Sequence, residues 1–230
     1  MDLHRAVARS LKAQADARRR ALTDGAAHVG WKVALDMPGV AEHLGPGGMV
    51  FGYLISTSVL PSGDRFRTRP VGSLHAETEL AVTLGRDIEP TVDAAECADA
   101  ISGVAVAVEV VDVAQPPGGD MHEIIAANVF HRAVAFGPTL PVTALADRAS
   151  ARITINGSVR EAAAVRPYVG EPLAEMARLL TVIGEQLRAG DRVITGSITH
   201  VPIQLGDTAV AEIDGLGSAV LRLAGDGHAA

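Results

Sequence analysis

A chain of 230 residues with a formal charge of −7, one Trp, two Tyr and four Phe lacks the basic surface and the stacking platforms that nucleic acid requires, which excludes that partner. The single cysteine, Cys97, excludes an internal disulfide and a multi-cysteine zinc site, as suits a reducing compartment. No apolar run approaches the ~18 residues of a membrane span, and the first residues lack a signal-peptide core, so a cytoplasmic protein without a membrane partner is expected.

Residues 3–22 set Val7, Leu11 and several Ala among Arg and Lys, a pattern that predicts one amphipathic helix with Arg18, Arg19 and Arg20 on a solvated face. Residues 1–25 thus form an N-terminal helical segment, and 26–230 are long enough for one further domain with a sizeable core. Residues 27–35 read as an apolar strand with Lys32 in its middle, a position that on its own suggests an edge-strand charge. Residues 36–53, rich in Gly and Pro with room for a short helix at 40–44, form a connector or a lid. Residues 51–60 follow as strand and 61–64 as a turn.

Asp93 can cap a helix that ends near Ile101. Residues 104–112 make the most strand-like run of the chain, 115–120 a loop, and 134–136 a short strand. Asn156-Gly157 between apolar alternations marks a hairpin. Gly170-Glu171-Pro172 opens a helix whose stripe of Leu173, Met176, Leu180, Ile183 and Leu187 runs to a stop at Gly190. Strands over 192–199, 208–213 and 219–223 close the chain. The expected class is α+β, mainly antiparallel strands with flanking helices.

The chemistry concentrates in residues 74–84. In an extended segment His75, Glu77 and Glu79 share one face while Leu80, Val82 and Leu84 point to the other. The two Glu Cα atoms then lie about 6.6 Å apart, at roughly 3.3 Å per residue. Two carboxylates that close, partly out of water, need a shared proton, a Lys or Arg, or a divalent cation. On the second strand Ala105, Ala107 and Glu109 share a face, so a third carboxylate can stand above small neighbours. Three carboxylates without cysteine suit Mg²⁺ or Mn²⁺, whereas zinc favours nitrogen and sulfur. His75 can support such a site, carry a proton, or be an ordinary half-buried histidine.

The ordered series Gly30-Trp31-Lys32-Val33, Phe51-Gly52-Tyr53-Leu54, Glu77-x-Glu79-Leu80-Ala81, Leu84-Gly85-Arg86-Asp87, Val108-Glu109-Val110-Val111-Asp112, Gly190-Asp191-Arg192 through Thr199, and Gly206-Asp207-Thr208 resembles the fumarylacetoacetate hydrolase superfamily over about residues 28–223. The Glu-Val-Val-Asp run and the Gly-Ser-Ile-Thr segment make it most similar to the 2-keto-4-pentenoate hydratase and 4-oxalocrotonate decarboxylase branch. The resemblance implies a mixed β-roll or sandwich, with 26–230 as one catalytic domain, and a homo-oligomer. It implies Glu77, Glu79 and Glu109 as Mg²⁺ or Mn²⁺ ligands, Lys32 beside the substrate, and Ser197, Thr199 and Asn128 as substrate-binding residues. The chain departs from the family pattern at Ile55-Ser56-Thr57-Ser58 and at Ala127-Asn128-Val129-Phe130, where the family often carries Asp. His75 is the residue expected to take over acid–base work there.

The activity implied is hydration of 2-hydroxypenta-2,4-dienoate or a similar 2-oxo acid in the catabolism of aromatic compounds. The alternatives are decarboxylation of the 4-oxalocrotonate type, C–C hydrolysis of an acylpyruvate, and a non-catalytic binding or assembly role.

Overall fold

The computed structural model describes residues 3–34, 49–69, 72–166 and 169–225; the helix expected at 40–44 lies outside them. Strand β1 (His28–Ala34) pairs with β2 (Val50–Ile55) on one side and with β10 (Arg192–Pro202) on the other, so Lys32 sits inside the sheet rather than on an edge strand. The same sheet continues through β5 (Leu74–Leu84), β6 (Ile101–Asp112), β7 (His131–Phe136) and β3 (Val59–Pro61), giving seven strands in the order β2-β1-β10-β5-β6-β7-β3. A second sheet of five strands comprises β4 (Arg65–Thr68), β12 (Gly217–Gly225), β11 (Thr208–Ile213), β8 (Ser150–Ile155) and β9 (Ser158–Ala164), in that order. Most pairings are antiparallel; β1 with β10, β3 with β7 and β4 with β12 are parallel.

The alternation of side chains along β5 and β6 separates two environments. Leu80, Val82, Val104, Val106, Val108 and Val110 point into the main core, which Ile153, Ala209, Ala211, Ala219 and Leu221 of the second sheet complete. Burying a Val or Leu side chain contributes about 1.5–3 kcal/mol, so this face drives the packing of the two sheets. On the opposite face Leu54, Ala81, Ala105, Ala107, Val134, Phe136 and Ile194 form a smaller apolar cluster beside the carboxylates.

Helix α1 (Leu3–Thr23) buries Val7, Leu11 and Ala15 in the main core. The Gln14 amide donates to the carbonyls of Phe51 and Ile125 at 3.0 and 2.7 Å. Arg19 and Arg20 are exposed as expected, but Arg18 is buried: it pairs with Glu185 at 2.7 Å and lies over the Trp31 ring. Helix α2 (Ala94–Asp99) starts at a capping box of Asp93 and Glu96. The short α3 (Met121–Ala126) is capped by Asp120. Helix α4 (Gly170–Leu180) tightens into a 3₁₀ turn and stops at Gly184, whose φ of 73° is left-handed, six residues before the expected stop at Gly190. Leu187, assigned to that helix from its spacing, is buried instead beside Ile88 by a backbone bridge. The run at 51–60 is likewise divided, into β2 and β3. Among the described residues no helix is long and apolar enough to cross a membrane.

Candidate metal centre

Register places the acids together. Glu77 of β5 lies directly opposite Glu109 of β6, and Glu79, two residues on, shares their face. One carboxylate oxygen from each of Glu77, Glu79 and Glu109 lies within 4.8 Å of the others. Glu79 and Glu109 are buried, while the Glu77 side chain keeps 12% exposure.

Each acid has a donor of its own. Lys32 Nζ, entering from β1, meets Glu109 Oε1 at 2.5 Å, and His131 Nδ1 donates to the same oxygen at 2.6 Å. Gly196 N–H donates to Glu79 Oε2 at 2.8 Å. His200 Nδ1 donates to Glu77 Oε1 at 2.6 Å, and the His200 ring stacks on His75 with centroids 4.4 Å apart.

Electrostatics show what the cluster lacks. Burial, reinforced by the neighbouring Glu109 and Glu77 charges, holds Glu79 well above the usual carboxylate range, so it keeps a proton when the acids are alone. Burial acts in the same direction on Glu109, but the Lys32 charge and the His131 hydrogen bond outweigh it and hold that group below the ordinary range. Burial lowers Lys32, yet the three Glu charges more than restore it, so the amine stays protonated. Burial keeps His131 below its ordinary value despite Glu109. With Nδ1–H committed to Glu109, its Nε2 accepts from the Ser58 hydroxyl at 2.9 Å. The hydrogen bond to Glu77 raises His200, while burial lowers His75.

With all three acids ionised, Glu109 Oε2 is buried without a hydrogen-bond partner; a proton on Glu79 is what bonds that acid to Glu109. Such an orphan costs about 1–3 kcal/mol, more for a charged group. A hard cation among three carboxylates would satisfy this oxygen and displace the proton on Glu79, so the donor set fits Mg²⁺ or Mn²⁺.

The walls are shaped by unusual backbone. Asn128, Val129 and Phe130 have φ of 64°, 51° and 64°, a left-handed stretch that costs on the order of 1–3 kcal/mol per non-Gly residue. It delivers the Val129 carbonyl to Lys32 Nζ at 3.2 Å. The Asn128 amide braces it, accepting from Tyr53 N–H at 2.8 Å and donating to Tyr53 O at 3.0 Å. Gly52 is required where these parts meet, since a Cβ there would lie 2.7 Å from both Lys32 Cγ and Asn128 Oδ1.

The structure therefore brings Lys32, Glu77, Glu79 and Glu109 together, with His75 one ring removed behind His200. Asn128 commits both ends of its amide to the Tyr53 backbone. Ser197 is exposed beside the site and its hydroxyl donates to Thr199 O at 2.9 Å. Thr199 is buried opposite Thr78, whose backbone N–H its hydroxyl accepts at 3.2 Å. Irregular register on both sides of Ser197 reverses the simple alternation, so that His200 rather than Thr199 meets Glu77.

His131, His200 and the Gly196 N–H escaped sequence reasoning. His131 directly follows one of the segments that depart from the family pattern and bonds Ser58 at the end of the other, a neighbourhood that could have pointed to it. Beyond Gly196 a cleft of about 340 Å³ runs past Thr195, Ser197 and Ile198 to Ala163, Ala164 and Arg166.

The model of the fumarylacetoacetate (FAA) hydrolase C-terminal family matches residues 27–224. A 2-keto-4-pentenoate hydratase of Burkholderia vietnamiensis is 29% identical over 206 residues, 85% of this chain and 78% of the relative. A 4-oxalocrotonate decarboxylase of a Pseudomonas species is 23% identical over 88% of this chain and 81% of its own. Among solved structures, the 4-oxalocrotonate decarboxylase from Pseudomonas putida G7 superposes with a TM-score of 0.83 at 26% identity, over 94% of this chain and 86% of that one; it is complexed with magnesium and adipate. The fold, the ordered motifs and these matches agree that the chain belongs to the fumarylacetoacetate hydrolase family, in the branch of the 2-keto-4-pentenoate hydratases and 4-oxalocrotonate decarboxylases.

Proposed function

We propose that the protein is a Mg²⁺- or Mn²⁺-dependent lyase that hydrates 2-hydroxypenta-2,4-dienoate or a close 2-oxo acid. The observation that carries this reading is the buried Lys32–Glu109 pair, in which Glu109 keeps one unpartnered oxygen and clusters with two further carboxylates. Glu77, Glu79 and Glu109 would hold the divalent cation, which when bound would supply Lewis-acid polarisation of a 2-oxo acid.

The chain's own groups do the rest. Lys32, protonated and out of water, adds a fixed positive charge where the 2-oxo oxygen becomes negative. Ser197, exposed along the cleft, can turn its hydroxyl from Thr199 O to the substrate carboxylate. His75, stacked on the His200 ring beside Glu77, is the group placed to move a proton between substrate and water.

Decarboxylation is the second reading, and Arg166 favours it. Arg166 lines the same cleft as Ser197, and a guanidinium suits the distal carboxylate of a dicarboxylic 2-oxo acid. The relative bound to adipate supports the same reading. Incubation with Mg²⁺ and either 2-hydroxypenta-2,4-dienoate or 4-oxalocrotonate, followed by product analysis, tests both. Water added without carbon loss supports the hydratase, CO₂ release the decarboxylase, and cleavage of an acylpyruvate into two acids a hydrolase. No turnover of any enolisable 2-oxo acid with metal present overturns the enzymatic reading.

A further inference from the structure

All three carboxylates are treated alike, although the donors come from different parts of the chain. Glu109 Oε1 is taken by Lys32 and His131, Glu79 Oε2 by Gly196 N–H, and Glu77 Oε1 by His200. Each acid is left with one oxygen to offer, and in Glu109 that oxygen is buried without a partner. Of these donors only His200 is on an exposed side chain, at 44%, yet three contacts hold it. Its backbone N–H donates to Glu161 Oε2 at 2.8 Å, its Nδ1 reaches Glu77, and His75 stacks on the ring at an interplanar angle of 21°. The irregular register on either side of Ser197 is what aims it at Glu77.

Resting on the metal-centre reading above, we propose that His200 is a positioning residue that restricts Glu77 to one oxygen and thereby makes the centre prefer a small octahedral cation over Ca²⁺. The chemistry is that of coordination number. Mg²⁺ demands near-octahedral geometry with about six ligands, whereas Ca²⁺ takes about 6–8 oxygens and readily accepts a bidentate carboxylate. Three single oxygens leave three octahedral positions for substrate and water. They under-coordinate calcium unless one acid can turn to offer both oxygens. Glu77, partly exposed and held by one side chain, is the acid free to do so once His200 is gone.

The test is the ratio of Mg²⁺ to Ca²⁺ affinity, measured by calorimetry on the full chain after chelator treatment, with Mn²⁺ binding followed by electron paramagnetic resonance. Removing an imidazole beside Glu77 changes the field felt by both ions together, so the ratio rather than either affinity carries the answer. His200→Ala is expected to lower the ratio by about 10-fold, the low end of the change seen when a ligand's hydrogen-bond partner is lost. His200→Asn, which keeps an N–H donor near the Nδ1 position without the charge, is expected to restore most of the ratio. A ratio within twofold of wild type in His200→Ala, or an Asn variant no better than Ala, overturns the proposal. A wild-type protein that binds none of the three ions overturns the metal-centre reading instead. Thermal unfolding of both variants confirms folding, as a side chain this exposed is tolerant of substitution.

Discussion

The two faces of β5 and β6 are built by the same residues in alternation, yet they obey opposite rules. One face is Leu, Val and Ala packed against a second sheet, on strands whose backbones pair in continuous register from Leu74 to Thr83. The other face carries a buried lysine, two buried acids, an orphaned oxygen and, alongside, three consecutive left-handed residues. Stability is thus concentrated on the first face and expended on the second, a division expected where a rigid sheet must hold a strained site.

Substitution on the polar face should separate activity from packing most sharply at Lys32. Lys32→Ala removes the fixed positive charge, and turnover of the 2-oxo acid is expected to fall by about 10²–10³-fold, the size of losing one preorganised stabilising group. Unchanged kcat would remove Lys32 from the reaction. The variant also leaves Glu109 buried without its cation, which costs about 3–5 kcal/mol when one partner of a buried pair is lost. Saturating Mg²⁺ should recover part of that loss in chemical denaturation. On the packing face, Leu80→Ala is expected to cost a similar 2–5 kcal/mol, but with the metal affinity unchanged because its side chain points away from the acids. Equal loss of metal binding in both variants would show that the faces are not independent.

This division also explains which features were legible in the sequence. Parity put Glu77 and Glu79 on one face and Glu109 on an alanine-lined face, and the resemblance joined the three; β5 and β6 bring them together because they pair without interruption from Leu74 to Thr83. Parity failed on β10, where irregular register puts His200 rather than Thr199 beside Glu77. Lys32 looked like an edge charge, since nothing local reveals that β1 will pair with a strand as distant in sequence as β10, which sets Lys32 opposite Ile194. His131 and the brace at Asn128 depend on three residues at positive φ, a conformation that Val and Phe adopt only when tertiary contacts impose it. Arg18 was misplaced for a related reason: its charge belongs to a solvated helix face until Glu185 and Trp31 close over it.

Smaller effects refine the polar face. Gly52→Ala sets a Cβ against Lys32 and Asn128, so kcat is expected to fall about 10-fold or more while the unfolding free energy drops by roughly 1–3 kcal/mol, the range of overpacking. Asn128→Ala removes the brace from the left-handed segment and should cost about 1–3 kcal/mol, because the Tyr53 N–H and C=O lose their partners. A variant as stable as wild type would mean that the segment is held by other contacts.

The least conspicuous expectation follows from the proton that Glu79 retains. Its carboxyl is held above the unfolded value by burial and by Glu109 and Glu77, so its contribution to apo stability is complete below the unfolded pKa and is lost as pH rises through the raised folded value. Glu109 is lowered instead, and its contribution is lost only in acid, as pH falls through its depressed folded value. Between these limits a divalent cation competes with one proton, on Glu79. The rise in melting temperature on adding Mg²⁺ should therefore grow as pH increases from the carboxylate range toward neutrality, and level off once Glu79 ionises without help. Calorimetric scans with and without Mg²⁺ across that range measure it. An increment that stays constant with pH would mean that Glu79 enters the metal-free fold already ionised, and that the polar face is less costly to maintain than its burial implies.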